Sequence, residues 1–347
     1  MKKNIDRRKF VKNSLITGAG LSIAGGFNPL YGQNPGNGKR VGLIGLDTSH
    51  VTAVTNSLNN PKEGDDWSGY KVVAAFPTKG SPDMPASIDR LEGFTKRVKE
   101  LGVEITGSIE ELISKVDVIM LESVDGRRHF EEALPVIKSG KKMFIDKPFA
   151  ASLADGLAIF EAAKKYNAPI FHASSLRYME GVDEVKAGKI GGIIGADTYG
   201  DCYIEPNHPD LFYYCIHGIE LLYGIMGTGC KSVVRVHLEN TDMVVGTWED
   251  DRIGSYRGNR MGTKDYGATV FGEDGIEIIN KSQGYRGLWV NVIDFFETGI
   301  PPVDPAETVE LLAFMEAGEE SKKRGGVPVS VDEMMNRARQ ALKNYKI

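Results

Sequence analysis

The chain has 347 residues and a net charge of -5, with 41% apolar and 26% charged residues. That is the make-up of an ordinary globular chain with room for two domains, and it gives no reason to expect nucleic acid as a partner. No long, strongly apolar span follows the first thirty residues, so no transmembrane helix is expected in the mature chain.

Residues 1–37 stand apart. Asp6-Arg7-Arg8-Lys9-Phe10-Val11-Lys12 precedes a mildly apolar, Gly- and Ala-rich run from Ser14 to Phe27. This order of charge, aromatic and apolar run predicts a twin-arginine export signal and a periplasmic location, with Asp6 where Ser or Thr is usual. Cleavage is expected near Tyr31-Gly32, and Asn34 to Gly38 reads as a flexible lead-in. The plain alternative is an arginine pair at the start of a cytosolic chain.

From residue 38 to 174 short apolar runs alternate with helical patterns, the mark of β-α-β units and a parallel sheet. Strands are expected at Val41–Ile44, Tyr70–Phe76, Val116–Glu122, Lys142–Ile145 and Pro169–Ala173. Helices are expected at Thr48–Leu58, Ser87–Leu101, Ile109–Lys115, Phe130–Ser139 and Leu153–Tyr166. Asp47, Thr48 and Ser49 are candidate caps of the first helix. Residues 175–347 change character. Runs at Gly195–Cys202, Ser232–Asn240, Met243–Glu249, Ile253–Arg257, Ala268–Gly272 and Gly275–Asn280 read as a mostly antiparallel sheet, with Glu273-Asp274-Gly275 as a hairpin turn. Helices are expected at Leu211–Tyr223, Leu288–Thr298, Pro305–Lys323 and Val331–Lys343. The fold class is therefore α/β: a Rossmann-type parallel domain, then an α+β domain with an open-faced sheet. Cys202, Cys215 and Cys230 are the only cysteines. Buried free thiols are expected, with one internal bridge open to them.

The opening strand and turn, Lys39 to His50 (KRVGLIGLDTSH), carries a damaged dinucleotide fingerprint. In G-x-G-x-x-G the glycines serve the tight turn, the approach of pyrophosphate and the packing of helix on strand. Gly45 fills the first place, Asp47 the second and His50 the third. The second strand ends Phe76-Pro77-Thr78-Lys79, with no acid to hold a ribose 2′-OH and only Lys79 for a 2′-phosphate. One reading makes Asp47, Ser49 and His50 a helix start. The other makes them part of a substrate site from which the dinucleotide has been lost.

Three stretches, Val41 to Gly45, His129 to Pro148 (HFEEALPVIKSGKKMFIDKP) and Ile216 to Leu222 (IHGIELL), resemble the Gfo/Idh/MocA family. The resemblance runs from about Lys39 to the C-terminus. It implies a ring alcohol–ketone interconversion on a sugar, sugar acid or cyclitol with NAD or NADP, retained through turnovers if the protein is exported. It also implies that Lys147 and His217 move the hydroxyl proton. Gly45, Leu46, Asp47, Ser49, His50, Glu122 and Asp146 would lie on the cofactor side. Asp146 stands where the family has Glu, and Tyr213 where it commonly has a carboxylate four residues before the histidine.

Each candidate also has a plain reading. Lys147 is a strand-end lysine before a proline, and His217 a histidine on a mostly apolar helix. Tyr213, one turn before His217, either hydrogen-bonds substrate or packs. His129, Arg177, Tyr203 and His208 are candidate substrate contacts, with Arg127 and Arg128 nearby. Tyr199, Phe212, Tyr214 and Trp248 complete an aromatic run suited to stacking on sugar rings or to half-buried strands. No metal signature is present; a set of His50, Glu205, His208 and His217 is the weak exception. Two other functions stay open: a redox-inactive lyase, hydrolase or isomerase of an oxidised sugar, and a non-catalytic carbohydrate-binding protein. A homo-oligomer through the open sheet is compatible with the pattern.

Overall fold

The computed structural model describes residues 39–262 and 265–347. The export signal and lead-in expected over residues 1–37 lie outside the described residues.

The first sheet has strands β1 (Arg40–Ile44), β2 (Lys71–Phe76), β3 (Glu104–Ile105), β4 (Val118–Leu121), β5 (Met143–Ile145) and β6 (Ile170–His172). All pair in parallel, in the order β3-β2-β1-β4-β5-β6. The order reverses between β1 and β4, and it is outside the carboxyl ends of the strands at such a point that open α/β sheets bind ligands. Helices α1 (His50–Asn59), α2 (Pro85–Glu100), α3 (Ile109–Lys115), α4 (His129–Ser139) and α5 (Leu153–Tyr166) supply the crossovers. Sequence chemistry sets their ends. Pro85 opens α2, Ser108 caps α3 and Ser152 caps α5. Gly140, left-handed, closes α4.

Both faces of this sheet are buried, which is why its strands read as continuous apolar runs. Val41 and Leu43 join one core cluster and Ile44 the other. At Gly42 a side chain would meet Val116 at 2.9 Å, so α3 lies too close to β1 for anything larger than glycine.

The second sheet runs β12-β11-β7-β10-β9-β8-β13. Its strands are β7 (Ile193–Asp201), β8 (Cys230–Leu238), β9 (Thr241–Trp248), β10 (Ile253–Asn259), β11 (Gly267–Gly272), β12 (Ile276–Ile279) and β13 (Val329–Ser330). Every pairing is antiparallel except β10 with β7. Helices α6 (Val182–Lys186), α7 (Ile216–Met226), α8 (Arg286–Thr298), α9 (Pro305–Lys323) and α10 (Val331–Ala341) complete the chain. Helix α8 returns to the first sheet: Leu288, Trp289 and Phe296 share a core cluster with Val41 and Leu43.

Three expectations need correction. The helix expected over Leu211–Tyr223 is two pieces, a π-type turn at Leu211–Cys215 and then α7. The first helix begins two residues later than expected, because Asp47 and Thr48 stay in the turn. The thiols are not all free: Cys202 and Cys215 form a disulfide, and Cys230 alone is free and buried. Cys202 follows the end of β7 and Cys215 sits in the π-type turn, so the bond ties sheet to helix.

Candidate functional site

At the carboxyl end of β5 the chain runs Asp146-Lys147-Pro148, with a cis Lys147–Pro148 peptide. Asp146 is anchored by its amide to the Leu121 carbonyl at 2.8 Å. Lys147 is buried, yet its Nζ makes no hydrogen bond among the described residues and lies 5.2 Å over the ring of Tyr214. Burial pulls its pKa below the ordinary ammonium value; the charge of Arg90 adds to this, and Asp146, Glu122 and Asp47 oppose it.

His217, one residue into α7, presents its ring to the same tyrosine, with centroids 6.0 Å apart. Its Nδ1 is paired with the Ser174 hydroxyl at 2.7 Å, and Tyr266 flanks the ring at 5.8 Å. A serine partner, unlike a carboxylate, can donate or accept, so either nitrogen of His217 can carry the proton. Burial, then the charges of Lys147 and His50, push its pKa down to about 3, so the ring is neutral at ordinary pH. Lys147 and His217 thus meet around one aromatic ring.

A second group lies beside them. His50 Nδ1 and Asp146 Oδ2 are 2.5 Å apart, and Tyr285 meets the His50 ring edge-on at 5.2 Å. Burial works against the charge on Asp146, but His50 and Lys147 outweigh it and hold the carboxyl below its usual range. Glu122, after β4, is fully buried, and neither oxygen has a hydrogen-bond partner among the described residues. Burial, and then the charge of Asp146, raise its pKa well above the usual carboxyl range.

The turn itself departs from a dinucleotide cradle. Gly45 has φ +81°, and a Cβ there would strike Ser123 Oγ at 2.1 Å, so the first glycine is required. Leu46 is buried and its amide reaches the Pro77 carbonyl at 3.4 Å. Asp47 is only 1% exposed. It is no cap: Oδ2 accepts from Ser87 Oγ at 2.5 Å and Oδ1 from the Val124 amide at 2.9 Å, spanning the crevice between β1 and β4. Ser49 holds the cap position, exposed and without a side-chain capping bond.

Tyr213 packs beside this closure, edge-on to Tyr214 with centroids 5.1 Å apart. The expectation that it shares a face with His217 assumed α-helical spacing. The π-type turn shifts the register, so Tyr214 faces His217 and Lys147 while Tyr213 packs with Met84 and Val124. Tyr214, Ser174, Tyr266 and Tyr285 are the residues sequence reasoning missed as site partners. Only Tyr214 had a signal, its place in the aromatic run.

Other candidates separate. Tyr203 remains at the rim, 46% exposed and 6.0 Å from the ring of Tyr214. His208 is buried on the loop before α7 with Nε2 4.0 Å from Asp125, and burial pushes its pKa down to about 4. Asn207 on that loop donates to the Asp83 carbonyl at 2.5 Å. Glu205 is buried and feels the charges of Arg127 and Asp125. The set of His50, Glu205, His208 and His217 is therefore split and holds no common metal. Two proposed substrate contacts are corrected. His129 is buried, with its ring nitrogens on the carbonyls of Phe149 (3.2 Å) and Ser123 (2.7 Å), so it pins loops. Arg177 is buried, with Nε paired to Glu220 at 2.7 Å and Nη1 to Glu307, so ion pairs within the fold hold its guanidinium and only Nη2 lacks a partner among the described residues.

The chain matches the GFO_IDH_MocA model, an oxidoreductase family with an NAD-binding Rossmann fold, over residues 39–173. It is 24% identical over 274 residues to an inositol 2-dehydrogenase 3 of Saccharopolyspora erythraea, covering 76% of this chain and 75% of that protein. It is 30% identical over 175 residues to a 1,5-anhydro-D-fructose reductase of Ensifer adhaerens, covering 48% of this chain and 47% of that one. A probable dehydrogenase of Thermotoga maritima superposes with TM-score 0.68 at 19% identity, over 85% of this chain and 99% of that one. A myo-inositol dehydrogenase of Lactobacillus casei, in complex with NAD(H) and myo-inositol, superposes with TM-score 0.65 at 16% identity, over 84% and 96%. These findings support the Gfo/Idh/MocA oxidoreductase family and establish its α/β fold.

The matched family model has an NAD-binding Rossmann fold, which supports an NAD-type cofactor, while the turn of this chain departs from the usual cradle. A pyrophosphate needs bare backbone amides and positive potential. Here the Val124 amide is taken by Asp47, and Val124 packs with Met84 and Tyr213 in a small apolar cluster. Asp47, Glu122 and Asp146 also line the crevice with three buried carboxyl groups.

Proposed function

We propose that the protein is a Gfo/Idh/MocA-type enzyme acting by proton transfer on a sugar, sugar acid or cyclitol, without passing a hydride to a dinucleotide. The observation that carries this reading is a buried lysine ammonium and a neutral imidazole facing one tyrosine ring, beside a crevice that Asp47 spans. Such a pair suits an oxidised sugar. His217 takes a proton from the carbon next to a ketone, and the C–H electron pair forms a C=C bond as the carbonyl pair moves onto oxygen. The Lys147 ammonium stabilises that enolate. Expulsion of a neighbouring oxygen substituent, protonated by the imidazolium, is a lyase reaction; water addition to its product completes hydrolysis. Where the α-carbon carries a hydroxyl, that hydroxyl's proton passes to the enolate oxygen, and return of the carbon-bound proton to the former carbonyl carbon, as the α-carbon becomes C=O, is isomerisation. Tyr214 and Tyr203 offer faces for the ring's C–H edges.

The second reading, alcohol–ketone interconversion with a retained NAD or NADP, is favoured by the match of residues 39–173 and by the inositol dehydrogenase likenesses. The deciding assay offers keto-sugars and sugars to the protein with and without nicotinamide. Turnover of a keto-sugar without cofactor, abolished in Lys147→Ala and His217→Ala, supports the first reading. Turnover strictly dependent on added NAD or NADP supports the second. Carbohydrate binding that survives both substitutions, with no chemistry, leaves a binding protein.

Export rests on Arg7-Arg8 and the apolar run, and the Cys202–Cys215 disulfide suits an oxidising compartment. Cell fractionation tests it. A homo-oligomer through the second sheet is supported by exposed Ile194, Val236, Ile253, Ile276 and Ile278. Light scattering on the purified protein tests that.

A further inference from the structure

We infer that His50, Glu122 and Asp146 form a binding site for one divalent transition-metal ion. One ligand atom from each lies within 4.8 Å of the other two. The three come from the start of α1 and the ends of β4 and β5, all at the carboxyl edge of the first sheet, where backbone positions are rigid.

A second observation points to a ligand. Glu122 is fully buried and both its oxygens lack a hydrogen-bond partner among the described residues. A buried carboxyl without a donor costs several kcal/mol, and the Asp146 carboxyl beside Glu122 disfavours its ionisation further. Lys147 is close enough to influence Glu122 electrostatically but makes no hydrogen bond to it. A cation gives both oxygens a role. It also explains His50, which replaces the fingerprint's third glycine: the residue that spoils the dinucleotide turn supplies the nitrogen ligand.

The donor set indicates the kind of ion. Two carboxylates and one imidazole suit Mn²⁺, Fe²⁺, Co²⁺ or Zn²⁺; a thiolate-preferring ion has no sulfur here, and all-oxygen sites suit Mg²⁺ and Ca²⁺ better. Three protein ligands leave coordination positions open, as in catalytic sites. Carboxylate and imidazole ligands bind a metal in their deprotonated forms, so affinity should tighten as pH rises. The inference does not depend on the proposed reaction, because it concerns binding in the absence of substrate.

The test uses the full folded chain, stripped with EDTA and exchanged into chelator-free buffer. Native mass spectrometry and thermal melts are recorded with Mn²⁺ and with Zn²⁺, for wild type, Glu122→Gln and His50→Gln. The expected result is one ion per chain and a melting temperature raised by about 4 °C when the ion is a hundredfold above its Kd. Glu122→Gln keeps the shape and removes a buried acid, so it should fold at least as well without metal and lose at least a hundredfold in affinity. Absence of a stoichiometric ion at about 0.1 mM of either metal, or equal binding by Glu122→Gln and wild type, overturns the inference. Loss of metal binding would leave the Lys147–His217 chemistry standing, and loss of that chemistry would leave the metal result standing.

Discussion

Asp47→Gly separates the two readings of the crevice. The wild-type carboxylate holds the Ser87 hydroxyl at 2.5 Å and the Val124 amide at 2.9 Å while buried. Hydrogen bonds to charged groups contribute about 1.5–3 kcal/mol each, and glycine adds about 0.5–1 kcal/mol of backbone entropy cost. Opposing these is the burial of the carboxyl, which raises its pKa and shows that its charge is held at a cost. The net loss should be about 2 kcal/mol, or roughly 3 °C in Tm for a chain of this size. The same change clears the second glycine position and frees the Val124 amide. A dinucleotide at about a hundred times its Kd stabilises by about 2.7 kcal/mol, a rise of about 4 °C. We expect no shift for wild type with millimolar NAD or NADP, and a rise for the variant, read by calorimetry or dye melts. A wild-type shift as large as the variant's would refute the argument that Asp47 closes the crevice.

Other expected outcomes rest on the same contacts. Lys147→Ala and His217→Ala should each lower kcat/KM by about 10²–10⁴, while Tyr213→Phe, which keeps the ring packed on Tyr214 and loses only the hydroxyl, should leave it nearly unchanged. The pH profile of kcat/KM should require neutral His217 and charged Lys147. Both pKa values are lowered, so its acid limb should fall below the ordinary histidine range and its alkaline limb below the ordinary lysine range. Reduction of Cys202–Cys215, which closes a loop of sequence separation 13, should cost about 3 kcal/mol, measurable as a lowered denaturation midpoint. Glu220, beside Arg177 and His172, is fully buried; burial opposes its charge, but those partners hold its pKa down to about 2. A depressed carboxyl stabilises above its unfolded pKa, so stability should be full above about pH 4.5 and drain away toward about pH 2. Glu220→Gln should flatten that limb in acid titrations of unfolding.

Much of the frame was readable in the residues. Both-faced burial leaves continuous apolar runs such as Val118–Leu121, and period-two burial leaves alternation such as that of Thr241–Trp248, so strands announce themselves. Lys147 stood out in the sequence because a proline follows it at a strand end. Tyr214 was not, because one residue of π-type register decides which of two adjacent tyrosines faces His217, and that register is a tertiary outcome. His129 and Arg177 looked like ligand contacts because polar groups at strand ends often are; only their buried partners show that they brace the fold.

Local chemistry, then, determined the helices, the strands and the loss of two turn glycines, since each depends on neighbours a few residues away. Whether Asp47 caps a helix or spans a crevice was decided by Ser87 and Val124, 40 and 77 residues further along the chain. The meeting of His50, Glu122 and Asp146 was likewise decided by strand order, which brings distant segments to one edge and leaves no trace in the spacing of the residues themselves.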